Sequence, residues 1–169
     1  AAARFYLARQ QPSVSFAELY RRHLSDDEPS AAIAGLSEVG GRDDAILLLD
    51  LLGTRSVRTV KAAVRACARL ARGDCTSELL TALRDPRRGV SKVASVALQG
   101  ALLDPALLHT LLSQAEPLHT RVFALRLGQR LDRWERLNLL LAGAADPAAE
   151  VQTTVVHDLE RWLAAVNFG

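Results

Sequence analysis

Apolar residues recur every three or four positions along most of this chain, which is the spacing of one helix face and not the alternation of a half-buried strand. The pattern predicts helix pairs at 42–53 with 55–72, 76–85 with 87–103, 105–115 with 117–131, and 133–145 with 147–166. Ala31 to Val39 supplies the second helix of a partial unit, ended by Gly40 and Gly41. Upstream, Phe16 to Leu24 is predicted to be helical, and Ser25, Asp26, Asp27 and Glu28 form an exposed loop.

The pairs repeat. Asp85 and Pro86 followed by Val90 recur as Asp146 and Pro147 followed by Val151, 61 positions later. A slide of 28 places Leu79, Leu80 and Leu83 on Leu107, Leu108 and Leu111, and Val90, Ala94 and Leu103 on Leu118, Val122 and Leu131. A further slide of 33 reaches Leu140, Leu141, Ala144, Val151 and Val155, and the same step back from Val90 reaches Val57. Units of about 30 residues follow. Five of the six prolines directly follow an acidic residue, at Pro29, Pro86, Pro105, Pro117 and Pro147, and read as helix starts with the acid as cap. Asp132 with Glu135 has the spacing of a capping box.

The predicted organisation is a single helical repeat domain over 1–169: an N-terminal helical segment 1–28, a partial repeat 29–41, and helix-pair repeats 42–72, 76–103, 105–131 and 133–166. The last helix would bury Val151, Val155, Leu159, Trp162, Leu163 and Val166 and leave a polar outer face, as the end of a stack requires. Phe5, Tyr6 and Leu7 leave the opposite end less sealed.

Composition sharpens this picture. The chain is 49% apolar but only 5% aromatic, so its core is built from Leu, Ala and Val ridges, which favours helices over a sandwich or barrel. The strongest apolar run, Ala45 to Leu49, is broken by Asp50 and is far too short to cross a membrane. Cys67 and Cys75 lack metal-ligand spacing and the density of a disulfide framework, which points to a reducing cytoplasm. The chain contains no methionine and begins with three alanines, which points to a fragment of a longer protein.

The segments LLTALRDPRRGVSKVASVALQGAL and LLLAGAADPAAEVQTTVVHDLERWL, with the Asp-Pro turn and the valine after it, resemble the HEAT-repeat family, including its short bacterial-like type with units near 30 residues. AILLLDLLGTRSVRTVKAAVRACARLA resembles them without the Asp-Pro, and the resemblance covers roughly residues 30–166. It implies an all-α fold, a right-handed alpha-alpha superhelix made as a solenoid of antiparallel helix pairs with an extended groove. The family's frequent Val-Arg pair appears here only as Val57-Arg58. The corresponding positions hold Ser91, His119 and Gln152. Such proteins serve as scaffolds, adaptors, nucleic-acid binders and occasionally enzymes, so the fold does not choose among functions. Residues of the HEAT-like bilin lyases and DNA glycosylases cannot be assigned to positions in this chain.

Charge supplies the candidate surface. Arg58, Lys61, Arg65, Arg69 and Arg72 share one narrow face of the helix at 55–72, opposite Val57, Val60, Val64, Cys67 and Ala71. Arg87, Arg88 and Lys92, then Arg126, Arg130 and Arg133, extend the basic character over later second helices. Net charge is −1 over residues 1–41, +5 over 42–103 and −2 over 104–169. The bland account is that these arginines solubilise exposed faces and meet the negative ends of helix dipoles. The functional account is an anion-binding surface for an acidic protein or peptide, with a nucleic-acid backbone as the alternative. Trp134, beside Arg133 and Arg136, is a candidate interface anchor if exposed.

No catalytic set, metal site or cofactor site is expected. His23, His109, His119 and His157 show no ligand spacing, and His157 and Asp158, as chain neighbours on a helix, point in different directions. Cys67 belongs to the apolar seam. Cys75 lies near a helix start, which can lower a thiol pKa, but no His or second thiol is placed to help it. The sequence therefore reads as a non-catalytic protein-interaction or scaffold module, with partner-binding residues Arg58, Lys61, Arg65, Arg69, Arg72, Lys92, Arg126, Arg130 and Trp134.

Overall fold

A computed structural model describes residues 15–71 and 73–167, the last three of these by backbone alone. Their regular structure is entirely helical, in ten α-helices and three short 3-10 segments. The expectations for Phe5, Tyr6, Leu7, Arg72 and the Val166 side chain lie outside the described residues. The chain divides into two compact units, one ending at Cys75 and the other beginning at Thr76.

The first unit contains α1 (Phe16–Arg22), α2 (Ser30–Val39), α3 (Arg42–Leu49) and α4 (Val57–Ala71), with 3-10 turns at His23–Ser25 and Asp50–Gly53. Ser15 caps α1 by accepting from the Glu18 amide at 3.3 Å. Helix α2 packs on both α1 and α4, and α3 packs on α4. Ile33, Leu36, Leu48, Val60, Val64 and Cys67 are buried where these faces meet. Gly35 permits the closest of these approaches, because the Tyr20 ring occupies the place where a Cβ would stand. Val57, expected in the seam, is exposed because it opens the helix and has no preceding turn to cover it.

Arg21 and Asp44 tie α1 to α3. The guanidinium donates to both carboxylate oxygens at 2.6 and 3.1 Å, and Asp44 also accepts from the Gly41 amide at 2.8 Å. Asp44 is buried, and the Arg21 hydrogen bond holds its carboxyl below the usual aspartate range against the opposing effect of burial. Beyond α4, Gly73 adopts φ +113°, a conformation that side-chain-bearing residues avoid.

The second unit contains α5 (Thr76–Leu83), α6 (Arg88–Leu98), α7 (Pro105–Thr110), α8 (Leu118–Leu127), α9 (Arg133–Ala144) and α10 (Ala149–Asn167), with a 3-10 turn at Gly128–Arg130. Consecutive helices pair as α5 with α6, α7 with α8 and α9 with α10, while α8 also lies against α6 and α10. Leu83, Val90, Leu98, Leu108, Leu125, Leu139, Val151 and Val155 fill the interior.

Two sequence-predicted helices are shorter than their apolar pattern. The one expected at 87–103 ends at Leu98, before Gly100 and the Asp104-Pro105 step, and the one expected at 105–115 ends at Thr110. The residue before a proline is held away from helical backbone, so a pattern running up to Pro105 or Pro117 must leave the helix early. The acidic-proline steps also act differently from one another. Asp104 caps α7 with Pro105 at the first position, accepting from the Ala106 amide at 2.9 Å. Asp85 and Asp146 instead make tight turns, each accepting at 2.8 Å from the amide two residues on, with the helix opening afterwards at Arg88 and Ala149. Pro29 and Pro117 occupy the cap position itself. Asp132 caps α9 through the Trp134 and Glu135 amides.

The positions that hold Ser91, His119 and Gln152 share one structural task. Ser91 donates to the Leu83 carbonyl at 2.6 Å, His119 meets the Asp85 carbonyl at 2.9 Å, and the Gln152 amide donates to the Asp146 carbonyl at 2.9 Å. Thr120 adds a second bond to Leu83 at 2.9 Å. Each joins the start of a second helix to a turn or helix end that would otherwise keep an unsatisfied carbonyl. In α10 the buried side carries Val151, Val155 and Asp158, whereas Leu163, expected inside, is exposed.

Candidate functional site

Helix α4 carries the charged ridge as its sequence spacing requires. Its buried stripe includes Val60, Ala63, Val64, Cys67 and Ala71, and this leaves Arg58, Lys61, Arg65 and Arg69 on the outer side. Their Cα atoms span about 16 Å at the helical rise of about 1.5 Å per residue. Arg58 lies 3.7 Å from Glu28, both side chains being well exposed, an arrangement worth little in water. Lys61, Arg65 and Arg69 have no carboxylate partner among the described residues; Arg65 reaches only the Lys61 carbonyl, at 3.5 Å. Arg72 lies outside the described residues.

Most other arginines are occupied. In the first unit Arg21 is bound by Asp44 and Arg42 by Asp74, while in the second Arg84 pairs with Glu116, Arg87 with Asp85, Arg88 with Glu150 and Arg121 with Asp146. The Arg87 hydrogen bond holds the Asp85 carboxyl below its ordinary range. Arg87 and Arg88, read from sequence as extensions of a basic surface, each have a carboxylate partner within the second unit, Arg87 half-buried and Arg88 in an exposed pair.

In that unit Lys92 is exposed on α6, and Arg126 and Arg130 line a cleft of about 460 Å³ with Leu98, Leu102, Leu103, Leu108 and Leu131. A neighbouring cleft of about 400 Å³ shares Gln99, Arg126 and Gln129 with the first and adds Thr153, Thr154, His157, Asp158 and Arg161. The Arg126 guanidinium lies 5.7 Å from the centre of the Phe123 ring. Trp134 is 64% exposed, meets Trp162 edge-to-face at 6.1 Å, and stands beside Arg133, whose guanidinium is 5.6 Å from one ring and 5.3 Å from the other. Trp162 donates its indole N–H to the Arg133 carbonyl at 3.0 Å, so Trp162 is the anchor and Trp134 the outward ring.

Gln99, Gln129 and Arg161 are not singled out by the sequence, and His157 is read there only as a rejected metal or catalytic candidate. His157 and Arg161 are four apart on α10, the same spacing that reveals the α4 ridge, but they fall on the face read as a polar cap. Cys75 is buried, as Cys67 is. His23 contacts Asp26 at 2.9 Å and His109 is exposed, and no group of metal-ligating side chains converges among the described residues. No described helix is long and apolar enough to cross a membrane.

Comparison of the chain with protein-family models, curated proteins and solved structures finds no match.

Proposed function

We propose that this chain is a non-catalytic macromolecule-binding module built from HEAT-like helix pairs, and that α4 is its recognition helix for an acidic protein surface. The repeat reading is supported inside each unit: a helix pairs with the next, and second helices lie side by side, α2 with α4 and α6 with α8 and α10. The equivalent positions Ser91, His119 and Gln152 each bond a turn or helix-end carbonyl, Ser91 and Gln152 within their own pair and His119 in the pair before it. A right-handed solenoid is the arrangement these relations favour.

The observation that carries the functional reading is the unpaired state of Lys61, Arg65 and Arg69. Like charges three or four residues apart on a helix destabilise it by about 0.2–0.5 kcal/mol per pair, and the ridge contains three such pairs. Arg42, Arg84 and Arg88, by contrast, are each paired with a carboxylate. A ridge that costs the fold roughly 1 kcal/mol, with only Arg58 near a carboxylate, is explained by an external anion.

The test is to compare the chain with its Lys61→Glu, Arg65→Glu, Arg69→Glu triple variant by quantitative cross-linking in native extract, at low and high salt. The expected result is a stoichiometric protein partner that disappears in the triple variant and at high salt, with the thermal transition preserved. Retention of the same partner by the triple variant would refute the assignment. The even cationic spacing also suits a nucleic-acid backbone. Three or four neutralised phosphates predict a slope of about −3 to −4 in log affinity against log salt on duplex DNA, and a slope near zero removes that reading.

A further inference from the structure

The second unit carries a recognition site of a different kind. Helix α8 lies between α6 and α10, and Arg88 reaches Glu150 at 2.7 Å to bridge the starts of the two flanking helices. Towards the other ends of α6 and α8 the surface opens into the two clefts, joined through Gln99, Arg126 and Gln129. Their volumes, about 460 and 400 Å³, are each in the range that encloses a ligand side chain with its neighbours.

The clefts differ in chemistry. The first is walled largely by leucines, with Arg130, Asp132 and Glu135 at one side, so an apolar side chain and not a second acid suits it, and Leu102 in its lining has 103% of its reference surface exposed. The second presents Arg126 and Arg161, neither of which has a carboxylate partner among the described residues, with His157 beside them. The acid in the second cleft, Asp158, is 2% exposed and already engaged by the Gln129 amide, 3.3 Å from each oxygen. It therefore fixes Gln129 in the joint and leaves the two guanidiniums to solvent. At the joint, Gln99 offers a primary amide, which matches the paired donor and acceptor of a peptide bond, while Gln129, its amide nitrogen held by Asp158, offers its side-chain oxygen as an acceptor.

We propose that the joined clefts form a peptide site for an acidic segment of a partner protein, in which an Asp or Glu stands within one or two residues of an aliphatic side chain. The carboxylate bonds Arg126 and Arg161, the aliphatic side chain enters beside Leu102, and the intervening backbone meets Gln99 and Gln129. Charge-assisted bonds to a guanidinium supply orientation as well as affinity. The site lies wholly in the second unit and does not depend on the α4 ridge.

A random-peptide display library selected in parallel on the intact chain, on Arg126→Glu/Arg161→Glu, on Leu102→Ser and on the α4 triple variant tests this. The exposed positions of Arg126, Arg161 and Leu102 leave the fold intact, which circular dichroism verifies. The intact chain and the α4 variant should enrich peptides that combine an acid with a neighbouring aliphatic residue. Binding should fall by at least about tenfold on the double reversal, which removes both charge-assisted contacts, and Leu102→Ser should remove the aliphatic preference alone. In nuclear magnetic resonance spectra the side-chain amides of Gln99 and Gln129 should shift as a selected peptide is added. Absence of enrichment, enriched sequences without acids, or binding that survives Arg126→Glu/Arg161→Glu would overturn the proposal. Loss on the α4 variant instead would move the peptide to the ridge and overturn it equally.

Discussion

Arg121 and Asp146 form the most deeply buried ion pair described in the chain, with side chains 11% and 3% exposed, and their removal tests how the second unit is held together. Arg121 on α8 donates to one oxygen of Asp146, and the other oxygen accepts from the Ala148 amide at 2.8 Å in the turn before α10. In Arg121→Met the carboxylate keeps only that amide and stays in a site water barely reaches. Breaking one side of a buried pair costs about 3–5 kcal/mol. Part of this is returned, because the Arg121 Nε is itself buried without a partner, and losing such an orphan donor is worth about 1 kcal/mol. The net expectation is a loss of about 2–4 kcal/mol, or roughly 10–20 °C for a unit of this size.

The double variant Arg121→Met/Asp146→Thr is the decisive arm. Threonine suits the extended backbone before Pro147, its hydroxyl accepts the same Ala148 amide, and no charge remains to be compensated. Urea unfolding followed by circular dichroism should place it within about 1 kcal/mol of the parent and above Arg121→Met alone. If Arg121→Met costs less than about 1 kcal/mol, or the double variant is no better than the single, charge burial is not what the pair is for.

The first unit should lose stability in acid. Asp44 and, in the second unit, Asp85 have folded pKa values below the ordinary carboxylate value of 3.8, so their contribution is complete above that value and is lost as pH falls through the folded one. Asp44→Asn should flatten the acid limb of a stability-against-pH curve, and an unchanged limb would count against it. Gly35→Ala should destabilise by about 1–3 kcal/mol in urea unfolding through collision with Tyr20, and Tyr20→Leu should restore part of the loss; a neutral Gly35→Ala would mean that α1 moves away freely. Trp134→Ala should leave the thermal transition unchanged, because the ring is mostly outside, while weakening any partner that uses the second unit's end face; a large drop in melting temperature would show that Trp134 holds α9 against α10.

The helices were legible because Leu, Val and Ala repeat at the period of a buried face, and that period depends on nothing beyond the local chain. Asp104 and Asp132 were legible as caps for the same reason: cap and target amide are neighbours in sequence. The ends at Leu98 and Thr110 were not, since apolar spacing continues through residues that the following proline keeps from helical backbone. The burial of Asp158 was not legible either, because a face assigned from hydrophobicity alone cannot credit Gln129 with satisfying a buried carboxylate from 29 residues away. On α4 spacing alone separates Arg58, Lys61, Arg65 and Arg69 from Val60, Val64 and Cys67.

What the sequence could not reveal is which cations are already used. Arg84, Arg88 and Arg121 look no different along the chain from Arg65, Arg126 and Arg161, yet their carboxylates arrive from 32, 62 and 25 positions away. Only folding performs that sorting. It withdraws Arg87 and Arg88 from the proposed surface and brings in Arg161, which a reading by local charge density passed over. Net charge thus misleads here: the segment from 104 to 169 is acidic at −2, yet several of its acids are spent on internal partners. A cationic cleft can stand on an acidic segment because an anion approaching Arg126 and Arg161 meets the unspent charges at short range, within about one Debye length, before it meets the sum.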